Sequence, residues 1–165
     1  MDKKRTIAEH NEIQLIIRRL AHQIAENHID SDKIKLIGLN QRGKFVADSL
    51  YLELSSIIPN SLFPVDQIAV ENFQINHELK LSQNEKEAVV ILVDDVLNSG
   101  KTAFVACSRI FEQGVAGLET VFLAERSHRV FPILANYVGI TVATTLQDHV
   151  YFDNTSKDNL ELYLM

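Results

Sequence analysis

From Ala88 to Val93 the chain reads Ala-Val-Val-Ile-Leu-Val, and two aspartates, Asp94 and Asp95, follow at once. A strand apolar on both faces has to be covered on both faces, as in a parallel sheet with helices on either side. The neighbouring segments fit such a layout. Ile13, Ile17, Leu20 and Ile24 recur at helical spacing, and Thr6 with Glu9 predicts a capping box at the helix start. Lys35 to Leu39 reads as a short buried strand, and Val46, Leu50, Leu54 and Ile57 form a second helical stripe ended by Pro59-Asn60. A strand near Gln67 to Val70 leads into a polar stretch, Asn72 to Glu87. Beyond the acids, a helix is predicted from Lys101 to Gln113 with Gly114 as its stop, then a buried strand from Glu119 to Ala124. The tail alternates weakly around Leu160, Leu162 and Leu164. This order predicts an α/β fold with three layers, a mostly parallel twisted sheet flanked by helices. Such sheets take ligands at the carboxyl ends of their strands, so the informative residues should follow Leu39, Val93 and Ala124.

Composition narrows the class. The 165 residues suit one domain, residues 1–165, and 46% apolar with 23% charged residues excludes a disordered tail, a collagen-like rod or a cysteine-stapled miniprotein. Sixteen basic against 22 acidic side chains, a net charge of −6, argue against a general nucleic-acid coat but leave room for a local basic patch. The N-terminal residues carry charge with no apolar core behind them, and no window is long and apolar enough to span a membrane. A single cysteine, Cys107, forms no internal disulfide, which suits a cytoplasmic protein. His22 and His28 lie six apart, and no histidine pair has metal spacing; His10 and His77 read as surface residues, Cys107 as a small buried hydrophobe and Tyr137 as core.

The run Asp94-Asp95-Val-Leu-Asn98-Ser99-Gly100-Lys101-Thr102 carries the chemistry. A small-residue loop opening a helix presents backbone N–H groups, to which Ser99 and Thr102 add hydroxyls, so it suits a phosphate. Gly100 lets the backbone approach closely. Carboxylates repel phosphate, so Asp94 and Asp95 are suited to neighbouring hydroxyls, and a 5-phosphorylated ribose offers both groups. Ser-Gly-Lys-Thr imitates the end of a Walker A loop, but that motif needs glycine where Asp95 stands. The acidic pair also imitates a phospho-receiver pocket, which follows a first strand rather than one past the midpoint. Solvated aspartates capping the next helix are the plainer alternative. After Leu39, Gln41-Arg42-Gly43 open a helix, where Arg42 is either solvated or an anion clamp.

The Val93–Thr102 run resembles the phosphoribosyl pyrophosphate (PRPP) motif of type I phosphoribosyltransferases. With Arg18 to His22, Ile37 to Gly43, and Glu125 to Arg129 through Pro132 to Gly139, the chain is similar to the bifunctional pyrimidine operon attenuator/uracil phosphoribosyltransferases from about residue 7 to 153. The resemblance implies the type I phosphoribosyltransferase fold. It assigns Asp94 and Asp95 to the ribose, Asn98, Ser99, Gly100, Lys101 and Thr102 to the 5-phosphate, and Gln41, Arg42 and Gly43 to pyrophosphate. Asp94, Asp95 and Arg42 are thereby the catalytic candidates. The base falls to Arg126, Thr144 and Thr145, although Arg126 could equally pair with an acid. Mg²⁺ is implied as cofactor, held through PRPP with no protein-only site, and a homodimer is expected. The reaction implied is transfer of the 5-phosphoribosyl group to a nucleobase with release of pyrophosphate.

Two departures bear on substrate and turnover. Purine enzymes of this type carry a third aspartate in the loop where this chain has Asn98, which cannot act as a general acid, so a hypoxanthine or guanine enzyme is disfavoured; with the base that the resembled subfamily uses, this favours uracil. Between Asp66 and Val89 the chain is much shorter than the subfamily's mobile hood, and Lys80 to Glu87 is expected as a reduced lid. The alternative function is a regulator of pyrimidine genes that binds RNA or senses PRPP or a nucleotide with little turnover. An RNA face would use Arg18, His22, His128 and Arg129, but the charge of −6 disfavours it, and Leu134 stands where the subfamily usually has a basic residue.

Overall fold

The computed structural model describes residues 4–30, 33–72, 74–76, 79–127, 129–144 and 148–165. Its elements in chain order are β1 (Arg5–Glu9), α1 (His10–Asn27), β2 (Ile34–Leu39), α2 (Asn40–Ile57), β3 (Asp66–Ile68), β4 (Val70–Glu71) and β5 (Gln74–Ile75). Then come α3 (Gln83–Glu87), β6 (Val89–Leu97), α4 (Lys101–Glu112), β7 (Leu118–Arg126), β8 (Tyr137–Val142), β9 (Val150–Asp153) and β10 (Glu161–Leu164). Five strands, in the order β3-β2-β6-β7-β8, form a wholly parallel sheet. β6 is its middle strand, as expected of the most apolar run.

Alternate residues of β6 feed two cores. Ile91 and Val93 join one cluster with Ile13, Leu20, Val46 and Leu50 of α1 and α2, while Val90 and Leu92 join another with Ala103, Ala106 and Ile110 of α4. Burying each of the valine, leucine and isoleucine side chains contributes about 1.5–3 kcal/mol before conformational entropy is set against it. The α1 stripe foreseen from spacing is fully internal: Ile13, Leu20 and Ile24 are each 0% exposed. Tyr137 is also core; its hydroxyl donates to Glu119 Oε2 at 2.9 Å, and burial pushes it up to about 12.

The structure departs from the sequence-based expectation in several places. Thr6 does not cap α1. It lies in β1, opposite Tyr163 of β10, and its hydroxyl donates to Glu161 at 2.7 Å, so the capping box moves to Glu9 and Glu12. The tail forms β9 and β10, and β10 lies between β9 and β1 in a small antiparallel sheet on the α1–α2 side. His10 is half-buried, its Nδ1 accepting from the Leu160 N–H at 3.3 Å, and Cys107 is only partly buried, its thiol pushed up to about 11 by burial.

A further correction concerns the segment 80–87, which is anchored to the body of the domain. Leu79 and Leu81 are buried in the α4-side core. Ser82 and Glu85 form a capping box on α3, and Glu85 Oε1 lies 2.6 Å from Lys35 Nζ. Lys35 is 1% exposed and also reaches the Pro64 carbonyl at 2.7 Å and Asp66 Oδ2 at 2.8 Å. A buried ammonium needs such partners, and near the start of β2 this one holds α3 at the amino end of the sheet. His77 lies outside the described residues.

Candidate active site

The carboxyl ends of β2 and β6 open on a cleft of about 370 Å³. Its walls bring together Gln41 and Arg42 from the start of α2, Asp94 and Asp95 from β6, and Asn98 to Thr102 from the loop into α4. Residues about 50 or more apart in sequence therefore meet because two parallel strands end side by side.

Asp94 and Asp95 lie within β6, which runs on to Leu97 instead of ending at Val93. Asp94 Oδ1 accepts the Asp95 backbone N–H at 2.9 Å. Burial lifts the Asp94 carboxyl well above the usual carboxylate range, the neighbouring Asp95 charge lifts it further, and the Arg42 guanidinium acts against both. Asp95 is 9% exposed and is likewise raised, chiefly by burial. Two carboxyls held close together in low dielectric resist double ionisation, so a ligand with hydroxyl donors or a cation satisfies them.

The loop beyond them is built for backbone donation. Gly100 caps α4 at φ +81°, a left-handed conformation that glycine adopts without strain. The Ser99 carbonyl accepts from the N–H groups of Val130 at 3.1 Å and Phe131 at 3.0 Å, so the connection after β7 braces the loop from behind. Among the described residues, Asn98 Oδ1 is buried without a hydrogen-bond partner. An unpaired amide in a cleft is a polar group held for a ligand, and a 180° turn of that amide presents its Nδ2 donor instead.

Arg42 is exposed and also acts on Asp153 at the end of β9, whose carboxyl is held low first by the Thr155 N–H and hydroxyl. Asn40 carries no functional pattern in the sequence. It adopts φ +54° at the strand-to-helix turn, and its Oδ1 accepts the Val70 N–H at 2.8 Å, tying the β4–β5 hairpin to the Gln41–Gly43 turn. The one signal was an asparagine at a turn, a residue that tolerates positive φ.

The other described candidates do not line this cleft. Arg126 is 7% exposed and its Nε donates to Thr144 Oγ1 at 2.9 Å, so these two meet at the ends of β7 and β8, but neither lines the cleft. Thr145 and His128 lie outside the described residues. Arg18 pairs with Glu53 at 3.4 Å and His22 is exposed on the same helix. Arg129 pairs with Glu125 and donates to the Ile133 carbonyl at 2.8 Å.

Residues 4–152 match the phosphoribosyl transferase domain, and the chain belongs to that family, with the type I fold. Within it the chain is PyrR-like. It is 32% identical to the bifunctional protein PyrR of Haemophilus influenzae, over 94% of each chain, and 30% identical to that of Deinococcus deserti, over 97% of this chain and 94% of the other. The hypoxanthine phosphoribosyltransferase of Trypanosoma cruzi superposes with a TM-score of 0.78 over 96% of this chain and 95% of that one, at 18% identity. A hypoxanthine-guanine phosphoribosyltransferase of Bacillus anthracis gives a TM-score of 0.72 over 85% and 83%, at 20% identity. These two share the fold.

Proposed function

We propose that this cleft binds PRPP and that the chain, as a single domain over residues 1–165, transfers its 5-phosphoribosyl group to uracil and releases pyrophosphate. The observation that carries this is the convergence of an acidic pair, a backbone-donor loop and Arg42 on one cleft. The loop from Asn98 to Thr102 takes the 5-phosphate through N–H groups and hydroxyls at the start of α4. Asp94 and Asp95 accept from the ribose hydroxyls and favour the positive charge that grows on the sugar as the bond to pyrophosphate lengthens. Gln41, Arg42 and Gly43 face the leaving group, where the guanidinium offsets its growing negative charge. Asn98, unable to donate a proton as an acid, suits a pyrimidine better than a purine. Arg126, Thr144 and Thr145 are the candidates for the base in this scheme.

Among the described residues no cluster of three or more His, Cys, Asp or Glu side chains forms a metal cage, and the oxygen donors of Asp94 and Asp95 suit a hard cation shared with phosphate oxygens. Mg²⁺ bound with PRPP would neutralise the pyrophosphate. A PyrR-like chain that binds PRPP without turnover, as a sensor or RNA-binding regulator, is the second reading; the 80–87 segment favours it, because the Lys35–Glu85 pair holds α3 at the amino end of the sheet, away from the cleft. The test is pyrophosphate release from PRPP and Mg²⁺ with uracil, hypoxanthine, guanine, adenine or orotate, beside Asp95→Asn. Uracil turnover that collapses in the variant supports the transferase, PRPP binding without turnover selects the sensor, and absence of both overturns the site.

A further inference from the structure

The small antiparallel sheet comes against the start of α2. On β9 the Phe152 ring, 1% exposed, packs 6.0 Å from the ring of Phe45. Successive strand residues point to opposite faces, so Asp153 turns away from the core that Phe152 enters. Beyond it, Asn154 and Lys157 share a cavity of about 460 Å³ with Gln41 and Lys44 of α2. Gln41 also lines the cleft, so the connection after β9 and the Arg42 side of the cleft have a wall in common. Asp153 lies just past residues 4–152, the stretch that matches the family.

Carboxylates from two sheets draw on Arg42, the acidic pair of β6 and Asp153 of β9. Among the described residues it forms a direct ion pair with none of them. The other cations beside it are spent: Lys44 pairs with Asp48 at 2.5 Å, and Lys4, which also acts on Asp153, pairs with Glu161 at 2.5 Å. Asp153 is itself fixed in place. Its Oδ1 accepts from the Thr155 N–H at 2.9 Å and from the Thr155 hydroxyl at 2.8 Å.

We propose that Asp153 is a positioning residue, which holds the Arg42 guanidinium off the Asp94–Asp95 pair and available to the pyrophosphate of PRPP. This role presupposes that the cleft takes PRPP. Two crowded, buried carboxyls gain most from a cation. A guanidinium drawn by them alone would close onto them, cover the oxygens that the ribose hydroxyls need, and be spent before the polyanion arrives. A fixed carboxylate on the other sheet offsets that pull. The sign of one substitution separates positioning from simple charge. Removing a negative group beside a polyanion site strengthens binding by Coulomb's law, whereas removing a positioning carboxylate weakens it. Asp153→Asn deletes the charge and keeps an oxygen to accept from Thr155.

Calorimetry of PRPP binding with Mg²⁺ present tests this on the full chain. The variants are Asp153→Asn, Arg42→Ala, the two combined, and Asp158→Asn, an exposed acid on the same connection. Arg42→Ala should weaken binding about tenfold or more. Asp153→Asn should weaken it about threefold or more with its melting temperature unchanged. The double variant should bind no more weakly than Arg42→Ala, since Asp153 acts only through that side chain, and Asp158→Asn should bind as the wild type does. No binding by the wild type, or unchanged binding by Arg42→Ala, would overturn the PRPP reading of the cleft's Arg42 and this role with it. A loss in Arg42→Ala without one in Asp153→Asn would leave that reading standing and overturn this role alone. Losses that add in the double variant, or an equal loss in Asp158→Asn, would do the same. A melting temperature that falls with the affinity in Asp153→Asn would assign Asp153 to the turn instead.

Discussion

Asp94 leaves no space for a side chain at residue 43. A Cβ built on Gly43 would come 3.0 Å from Asp94 Oδ1 and 2.5 Å from the Val93 carbonyl oxygen. The start of α2 and the acidic end of β6 are therefore in direct contact, and the geometry of one sets the other.

Gly43→Ala should push Gln41 and Arg42 away from the acidic pair. The expected result is a loss of about 1–3 kcal/mol in stability from overpacking and a larger loss in PRPP affinity, read by thermal melting and calorimetry. Unchanged affinity would mean that the turn and the strand do not act together.

The acidic pair makes stability depend on pH in an unusual direction. Asp94 and Asp95 titrate above their usual 3.8 in the folded chain, so folding binds protons there. Their favourable contribution is complete below that value and is lost as pH rises through the raised folded values. Asp94→Asn should thus raise the melting temperature at neutral pH, by the equivalent of about 1 kcal/mol or more, with the gain shrinking in acid. A lower melting temperature at pH 7 would contradict it.

Glu85 behaves in the opposite sense. Lys35 and Ser82 hold its carboxyl down, from 4.5 to about 2, against the opposing effect of burial. Its contribution is present above 4.5 and fades as pH falls toward 2. Glu85→Gln should cost about 2 kcal/mol near neutral pH by leaving the Lys35 ammonium underpaired, with PRPP affinity intact. Affinity lost at unchanged stability would return the 80–87 segment to a lid.

Asn40 serves through both its backbone and its amide, and two variants separate them. Asn40→Gly keeps the positive φ and loses the bond to Val70, costing about 1 kcal/mol. Asn40→Ala loses both and should cost roughly 1 kcal/mol more. Equal melting temperatures for the two would remove the backbone from the explanation.

Much of this could be read along the chain. The helices α1, α2 and α4 and the strands β2, β6 and β7 announce themselves because apolar periodicity is a local property, and the acids with their glycine loop form one contiguous run. Contacts that join distant segments were silent. Thr6 looks like a cap until β10, more than 150 residues away, claims it. Lys35 looks like the polar edge of a strand, and only folding surrounds it with Pro64, Asp66 and Glu85. Asn40 gives no sign that Val70 will depend on it. Sequence alone determined the class of fold and where along the chain its phosphate loop lies, since both rest on residue order. Tertiary structure decided which side chains share the cleft and which charges are already paired, because each depends on segments that meet only once the sheet is assembled.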